Sequence, residues 1–163
     1  MHASRDCGLT LVELLLVMAI LGTLVAVVAP EGQRWVQDYR LKEATEMVAA
    51  DLRLLRQGAV AGESTNWEIR FNFASDPHQY LIKRGLEIGG TKIVRRLPSG
   101  IAFEGSVVVG NGKIANVVRF NLEGTPNSGS IDITIPLMDE VSRRQRFVKV
   151  GGTTGHIWVT DRR

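Results

Sequence analysis

Gly8-Leu9-Thr10-Leu11-Val12-Glu13 opens an apolar run that continues to Ala29. From Leu9 to Ala29 the only ionisable side chain is Glu13, and the rest are mostly Leu, Val, Ala, Ile and Met. A membrane-crossing helix needs about 20 such residues. A carboxylate within one costs roughly 2.5–3.5 kcal/mol at mid-depth on insertion scales, and less near the edge. A charge kept at such a place is a functional hypothesis, and the question is what pairs with it. A secretory signal peptide does not fit. It needs a basic flank, a core of roughly 7–15 apolar residues and a small-x-small cleavage site. Here the flank offers only His2 and Arg5 against Asp6, the run is too long, and Pro30 and Glu31 follow it. A plain single-pass anchor leaves Glu13 unexplained.

Beyond Pro30 the pattern stays helical. Leu41, Ala44, Val48, Leu52 and Leu55 recur at three- and four-residue spacing, one stripe of a helix. Asp38, Lys42, Glu46 and Arg53 take the opposite side. The expectation is one long helix from Leu9 to about Arg56, with a bend over 26–30 because Pro30 has no backbone donor. Gly22 is a place where helices can approach closely. Gly58, Gly62, Ser64 and Thr65 signal the helix end.

The period then changes to two. Trp67, Ile69, Phe71 and Phe73 alternate with Glu68, Arg70 and Asn72, a strand with one buried face. Asp76-Pro77 makes a turn, and Tyr80 to Lys83 reads as the return strand. Further strands are expected over Lys92–Leu97, Ala102–Val109, Val117–Asn121, Ile131–Ile135, Arg146–Val150 and His156–Thr160. Gly89-Gly90, Asn111-Gly112 and Gly151-Gly152 read as turns. Seven or eight short strands with no second helix predict an α+β fold: a long amino-terminal helix packed on one or two antiparallel sheets. The expected divisions are 1–8, 9–29 for the membrane half of the helix, 30–57 for its amphipathic half, and 63–163 for the β domain.

The chain has 163 residues, 44% of them hydrophobic, a net charge of +3 and one cysteine, Cys7. Cys7 lies in the first division, so no disulfide framework and no cysteine-based metal site is expected beyond it. His78 and His156 are far apart and lack ligand-spaced partners, so no metal or other cofactor is expected. Asp132, Asp139 and Glu140 form no recognisable acid/base pair. No phosphate-cradling glycine loop and no nucleophile motif appears. The expectation is a protein that is not an enzyme. Arg143, Arg144 and Arg146 form a basic cluster and Arg162-Arg163 end the sequence. The bland reading is a solvated hairpin and tail, and the sharper one a phosphate-binding patch.

The first residues resemble the amino terminus of type IV prepilins and type II secretion pseudopilins. In that family a short leader ends in Gly, followed usually by Phe and then Thr-Leu-(Ile/Val)-Glu. Gly8 matches the leader Gly, Thr10 to Glu13 match the pattern, and Leu9 replaces the commoner Phe. Pro30 falls where many members have a helix-kinking proline. The resemblance implies a type IV pilin-like fold and cleavage between Gly8 and Leu9 by a prepilin peptidase that also methylates Leu9. It also implies assembly through Glu13, which would meet the new amino terminus of a neighbouring subunit. The partners it implies are other pilins and an inner-membrane assembly platform. It places the leader in the cytoplasm, the helix in the bacterial inner membrane and the β domain outside. Charge alone would not: Arg34, Arg40 and Lys42 lie beyond the apolar run, where a positive-inside bias is not expected.

The C-terminal half resembles minor pseudopilins of the GspH/FimT group. The match runs through Leu97-Pro98-Ser99-Gly100-Ile101, Arg119-Phe120-Asn121, Gly124-Thr125, Ser128-Gly129 and Thr154-Gly155-His156-Ile157. Some FimT-like members take up DNA through a Gly-Arg-x-Arg motif. Here those positions read Gly155-His156-Ile157-Trp158, without either arginine. The resemblance therefore implies a structural subunit of a secretion pseudopilus or pilus. A DNA-binding minor pilin, using the arginine clusters, is the alternative.

Overall fold

The computed structural model describes residues 10–62, 67–71, 76–84, 91–105, 107–109 and 116–161, without the side chains at 27–30 and 108. Two compact units divide at Val36 and Gln37. Helix α1, Leu11–Val60, contributes to both.

In the first unit the described helix residues 11–26 are all exposed. Thr10 caps the helix. Its backbone N–H and its hydroxyl both donate to Glu13 Oε2, at 2.9 and 3.0 Å, and the Glu13 N–H donates back to Thr10 Oγ1 at 3.3 Å. This reciprocal arrangement is a capping box, which satisfies otherwise unpaired donors of a first turn. The helical assignment continues unbroken through Pro30. The residues of the expected bend, 26–30, lie within this continuous helix.

In the second unit the helix buries the expected stripe. Leu41, Ala44, Val48, Leu52 and Leu55 are in the core, joined by Ala49 and Ala59, while Asp38, Lys42, Glu46 and Arg53 are exposed. The helix does not stop before Gly58. A Cβ there would stand 2.5 Å from the Trp67 indole, so glycine at this position lets the ring lie against the helix. The Arg84 guanidinium covers the same ring, 5.3 Å from its centroid.

Among the described residues nine strands follow, all paired antiparallel. β1 (Glu68–Phe71), β2 (Gln79–Arg84), β3 (Thr91–Arg96) and β6 (Val117–Arg119) form a sheet in the order β3-β2-β1-β6. β4 (Ile101–Phe103), β7 (Ile133–Asp139), β8 (Gln145–Val150) and β9 (Ile157–Thr160) form the second, in that order, and β5 (Val108–Val109) also pairs with β7. The expected single strand over Ala102–Val109 is thus two. The chain breaks at Gly105, whose φ of 71° is left-handed. The break also admits Pro136 into the middle of β7. Its carbonyl accepts the Glu104 N–H at 3.1 Å, so its donor-less nitrogen faces the gap between β4 and β5. Phe73, Gly89-Gly90 and Asn111-Gly112 lie outside the described residues.

The two sheets meet through aromatic rings. Phe71 of β1 and Tyr80 of β2 both make edge contacts with Phe103 of β4, at 5.2 and 6.0 Å between centroids. Tyr80 is fully buried, and its hydroxyl donates to Asp51 of the helix at 2.7 Å. Arg56 ties the helix to two loops, donating to the carbonyls of Gly124 and Thr154 at 3.1 Å each. Between those loops Gly155 has a φ of 62°, and a Cβ on it would lie 1.8 Å from the Gly124 oxygen. The Thr154-Gly155-His156 motif is therefore explained by backbone packing.

Candidate functional site

The described part of the apolar segment has the properties of a surface awaiting partners or lipid. Leu14, Leu15, Leu16, Ile20, Leu21 and Leu24 are all solvent-exposed. The helix is long and apolar enough over its first part to cross a membrane. Its polar side chains satisfy themselves locally. Thr23 donates to the Ile20 carbonyl at 2.7 Å, which a hydrocarbon environment requires of any hydroxyl. Glu13 is held by Thr10, and both bonds fall on Oε2. Among the described residues Oε1 thus remains an open acceptor at the positive end of the helix dipole. The pattern Thr10-x-x-Glu13 carried this capping signal, which the sequence reading passed over. No Cβ-sized obstacle stands near Gly22. Gly8 and Leu9 lie outside the described residues, and Pro30 is helical.

The arginine cluster behaves differently from a free basic patch. Arg144 pairs with Asp38 of the helix. Arg146 pairs with Asp161 at 2.5 Å. Arg143 is exposed and takes a φ of 57° in the β7–β8 turn. Arg162 and Arg163 lie outside the described residues. An open groove of about 520 Å³ lies here, lined by Asp38, Tyr39, Lys42, Arg144, Arg146 and Asp161. Asp38 and Asp161 offset two of its three cations.

The histidines are not brought together. His78 Nδ1 lies 3.1 Å from the Ile101 carbonyl and its Nε2 3.7 Å from Glu140. His156 stacks on Trp158 at 5.6 Å. Among the described residues no group of three or more His, Cys, Asp or Glu is placed to hold a metal ion. Sequence reasoning missed a buried ionic centre on the first sheet. Glu68 is 3% exposed and accepts from Arg70 Nε and Arg119 Nε at 2.7 Å each. Burial alone would raise its pKa, but the hydrogen bonds and charges of Arg119 and Arg70 outweigh it and hold the carboxyl below the usual range.

Residues 3–29 match the family model of the prokaryotic N-terminal methylation motif. Its span includes Gly8, Leu9 and Glu13. The fold is similar to that of the type IV minor pilin FimU of Pseudomonas aeruginosa strain PAO1, seen in two crystal forms. In the P21 form the TM-score is 0.55 at 16% identity, over 77% of this chain and 92% of that one. In the P65 form it is 0.51 at 17% identity, over 74% and 92%. This chain has a prepilin amino terminus on a type IV pilin fold. No curated protein matches it. The pilin fold accounts for the helix serving two environments: an exposed apolar segment in the first unit, and in the second the stripe around which two sheets pack. It also makes the Thr10–Glu13 turn, with Oε1 still open, the charged feature of the described apolar segment 11–26.

Proposed function

We propose that the protein is a minor pilin or pseudopilin, a structural subunit and not an enzyme, of a type IV pilus or type II secretion pseudopilus. It enters the inner membrane as a precursor with the leader in the cytoplasm and the β domain outside. Prepilin peptidase removes residues 1–8 and the amine of Leu9 is methylated. The observation that carries this reading is the exposed apolar segment 11–26 of the helix, whose one carboxylate, Glu13, stands in the first turn with an oxygen open. A neighbouring subunit's amino terminus supplies the missing cation. It offsets the cost of the carboxylate in lipid and sets the stagger between subunits. A DNA-receptor role through Arg143, Arg144, Arg146, Arg162 and Arg163 is not adopted, because Asp38 and Asp161 already neutralise two of them.

The test is intact-mass analysis of the protein from its native membrane, together with Glu13→Leu. The expected mass is that of the chain lacking Met1 to Gly8 plus one methyl group. Glu13→Leu is expected to insert at least as well as wild type, since Leu is favoured and an acid disfavoured in a spanning helix. It is expected to lose cross-linking to other pilins. An unprocessed chain in the presence of active peptidase, or undiminished cross-linking in Glu13→Leu, refutes the reading.

A further inference from the structure

The outer face of the first sheet collects more positive charge than the whole chain carries in excess. Along its strands Ile69, Ile82 and Val118 belong to the core and Ile93 packs against it. The residues between them share the opposite face, and the strand register sets them in rows. One row runs Lys92, Lys83, Glu68, Arg119. The next runs Val94, Leu81, Arg70, Val117, and Arg96 lies beside Gln79 in a third. Among the described residues this face holds five cations and one carboxylate, a net of +4 against +3 for the entire sequence.

The single carboxylate is built in beneath the cations. Glu68 is nearly inaccessible, while the two arginines that donate to it have side chains 46% and 51% exposed. One buried acid therefore holds two accessible guanidiniums in fixed orientation. A planar guanidinium held this way loses less freedom when it meets another carboxylate. The bland explanation is that Lys and Arg protect a sheet edge from pairing with other chains. It covers Lys92 and Arg96 on edge strand β3 and Arg119 on β6, the edge strand at the other end of the described sheet. It does not cover Lys83 and Arg70 on the interior strands β2 and β1.

We propose that this face docks the acidic surface of another protein subunit. The inference rests on the assembly reading above and adds the surface and the chemistry of the partner. Carboxylates of that subunit meet Arg70, Arg119, Lys83, Lys92 and Arg96 across the face. Val94, 50% exposed on the edge strand β3 between Lys92 and Arg96, adds an aliphatic contact. Complementary charges set the register and rate of encounter of such a contact. Single-stranded nucleic acid is a poorer fit, since it binds by stacking on aromatic rings and none is among the described residues of this face. The fixed carboxylate of Glu68 in the middle of the patch also disfavours a continuous line of phosphates.

The test uses the full chain in its producing cell, with a photo-crosslinking benzoyl-phenylalanine at position 94. A second version adds Lys83→Gln, Lys92→Glu and Arg96→Glu; Lys83 stands opposite Glu68 in the register and is neutralised rather than reversed, so that no like charge is set against the clamp. Circular dichroism confirms that both fold. Isolated membranes irradiated at about 0.1 and 0.5 M salt give an independent measure without the triple substitution, because salt screens exposed charges. The expected adduct maps to a peptide of a partner subunit bearing two or more acidic residues. Its yield falls about tenfold or more in the triple variant and falls with salt, and it recovers when those partner acids are changed to Lys. Adducts only to nucleic acid or lipid overturn the inference, as does a protein adduct that is indifferent to both charge reversal and salt. Leader removal and filament incorporation are scored in the same cells. An incorporated chain with no protein adduct at position 94 overturns this inference alone, and a chain never processed or incorporated overturns the assembly reading with it.

Discussion

Removing the Tyr80 hydroxyl tests the buried link between helix and sheet. Tyr80→Phe keeps the ring and its edge contact with Phe103, and deletes only the donor that lies 2.7 Å from Asp51 Oδ2. Asp51 is 7% exposed, so water does not readily replace the lost bond. Arg95 Nε, 3.7 Å away, is its remaining cation. A hydrogen bond to a charged group contributes about 1.5–3 kcal/mol. The expected loss is about 2 kcal/mol, which with a urea slope of roughly 1–3 kcal/mol/M moves the unfolding midpoint down by about 1 M. The assay is urea unfolding of the full chain in detergent micelles, followed by the fluorescence of Trp67 and Trp158. The loss has a pH signature. Burial first, then the hydrogen bond and charge of Asp51, raise the Tyr80 pKa far above its ordinary value. The unfolded chain ionises near pH ~10 while the folded one does not. Tyr80 thus contributes its full stability below that pH and loses it as pH rises further. Wild type is expected to lose about 1.4 kcal/mol relative to Tyr80→Phe on going to about pH 11, closing most of the gap between them. A gap under about 0.5 kcal/mol at neutral pH, or one that stays constant to pH ~11, refutes the buried link.

Two further perturbations probe the rest of the β domain. Gly155→Ala places a Cβ 1.8 Å from the Gly124 oxygen and also strains a φ of 62°; Gly129→Ala has a similar φ of 68° but open space. Gly129→Ala is expected to cost about 1–2 kcal/mol and Gly155→Ala well over 3 kcal/mol, read from unfolding midpoints; equal costs would mean that Gly155 does not pack on Gly124. For Glu68, the folded pKa lies below the unfolded one, so its stabilisation is present above about pH 4.3 and is lost as pH falls through the folded value. Glu68→Gln is expected to flatten the stability–pH curve on the acid side, and an unchanged acid limb contradicts the Arg70–Glu68–Arg119 centre.

The helix and most strand positions were legible in the sequence because each has its own period. The stripe Leu41 to Leu55 and the alternation from Trp67 to Phe71 report one buried face apiece; the apolar residues of both are buried as expected, but Glu68 on the strand's other face is buried as well. The amino-terminal motif was equally legible, since Gly8, Thr10 and Glu13 sit at fixed spacing before an uninterrupted apolar run. Helix ends and strand breaks were less so. Gly58 reads locally as a stop, yet the helix passes through it to Val60; glycine stands there to make room for the Trp67 indole, not to end the helix. Pro136 reads against a central strand, and is accommodated only because β4 and β5 part on the side its nitrogen faces.

Charge was the property least legible along the chain. Arg143, Arg144 and Arg146 are adjacent and drew notice as a patch, but folding sets Asp38, more than a hundred residues earlier, against Arg144, and Asp161 against Arg146. Arg70, Lys83, Lys92, Arg96 and Arg119 are scattered over fifty residues, and only the pairing of four strands gathers them on one face. Sequence by itself determined which segments form a helix or a strand and which side of each is apolar, because those depend on neighbours a few residues away. Which charges meet was decided by the tertiary structure alone, because strand order and register bring together residues that no local spacing relates.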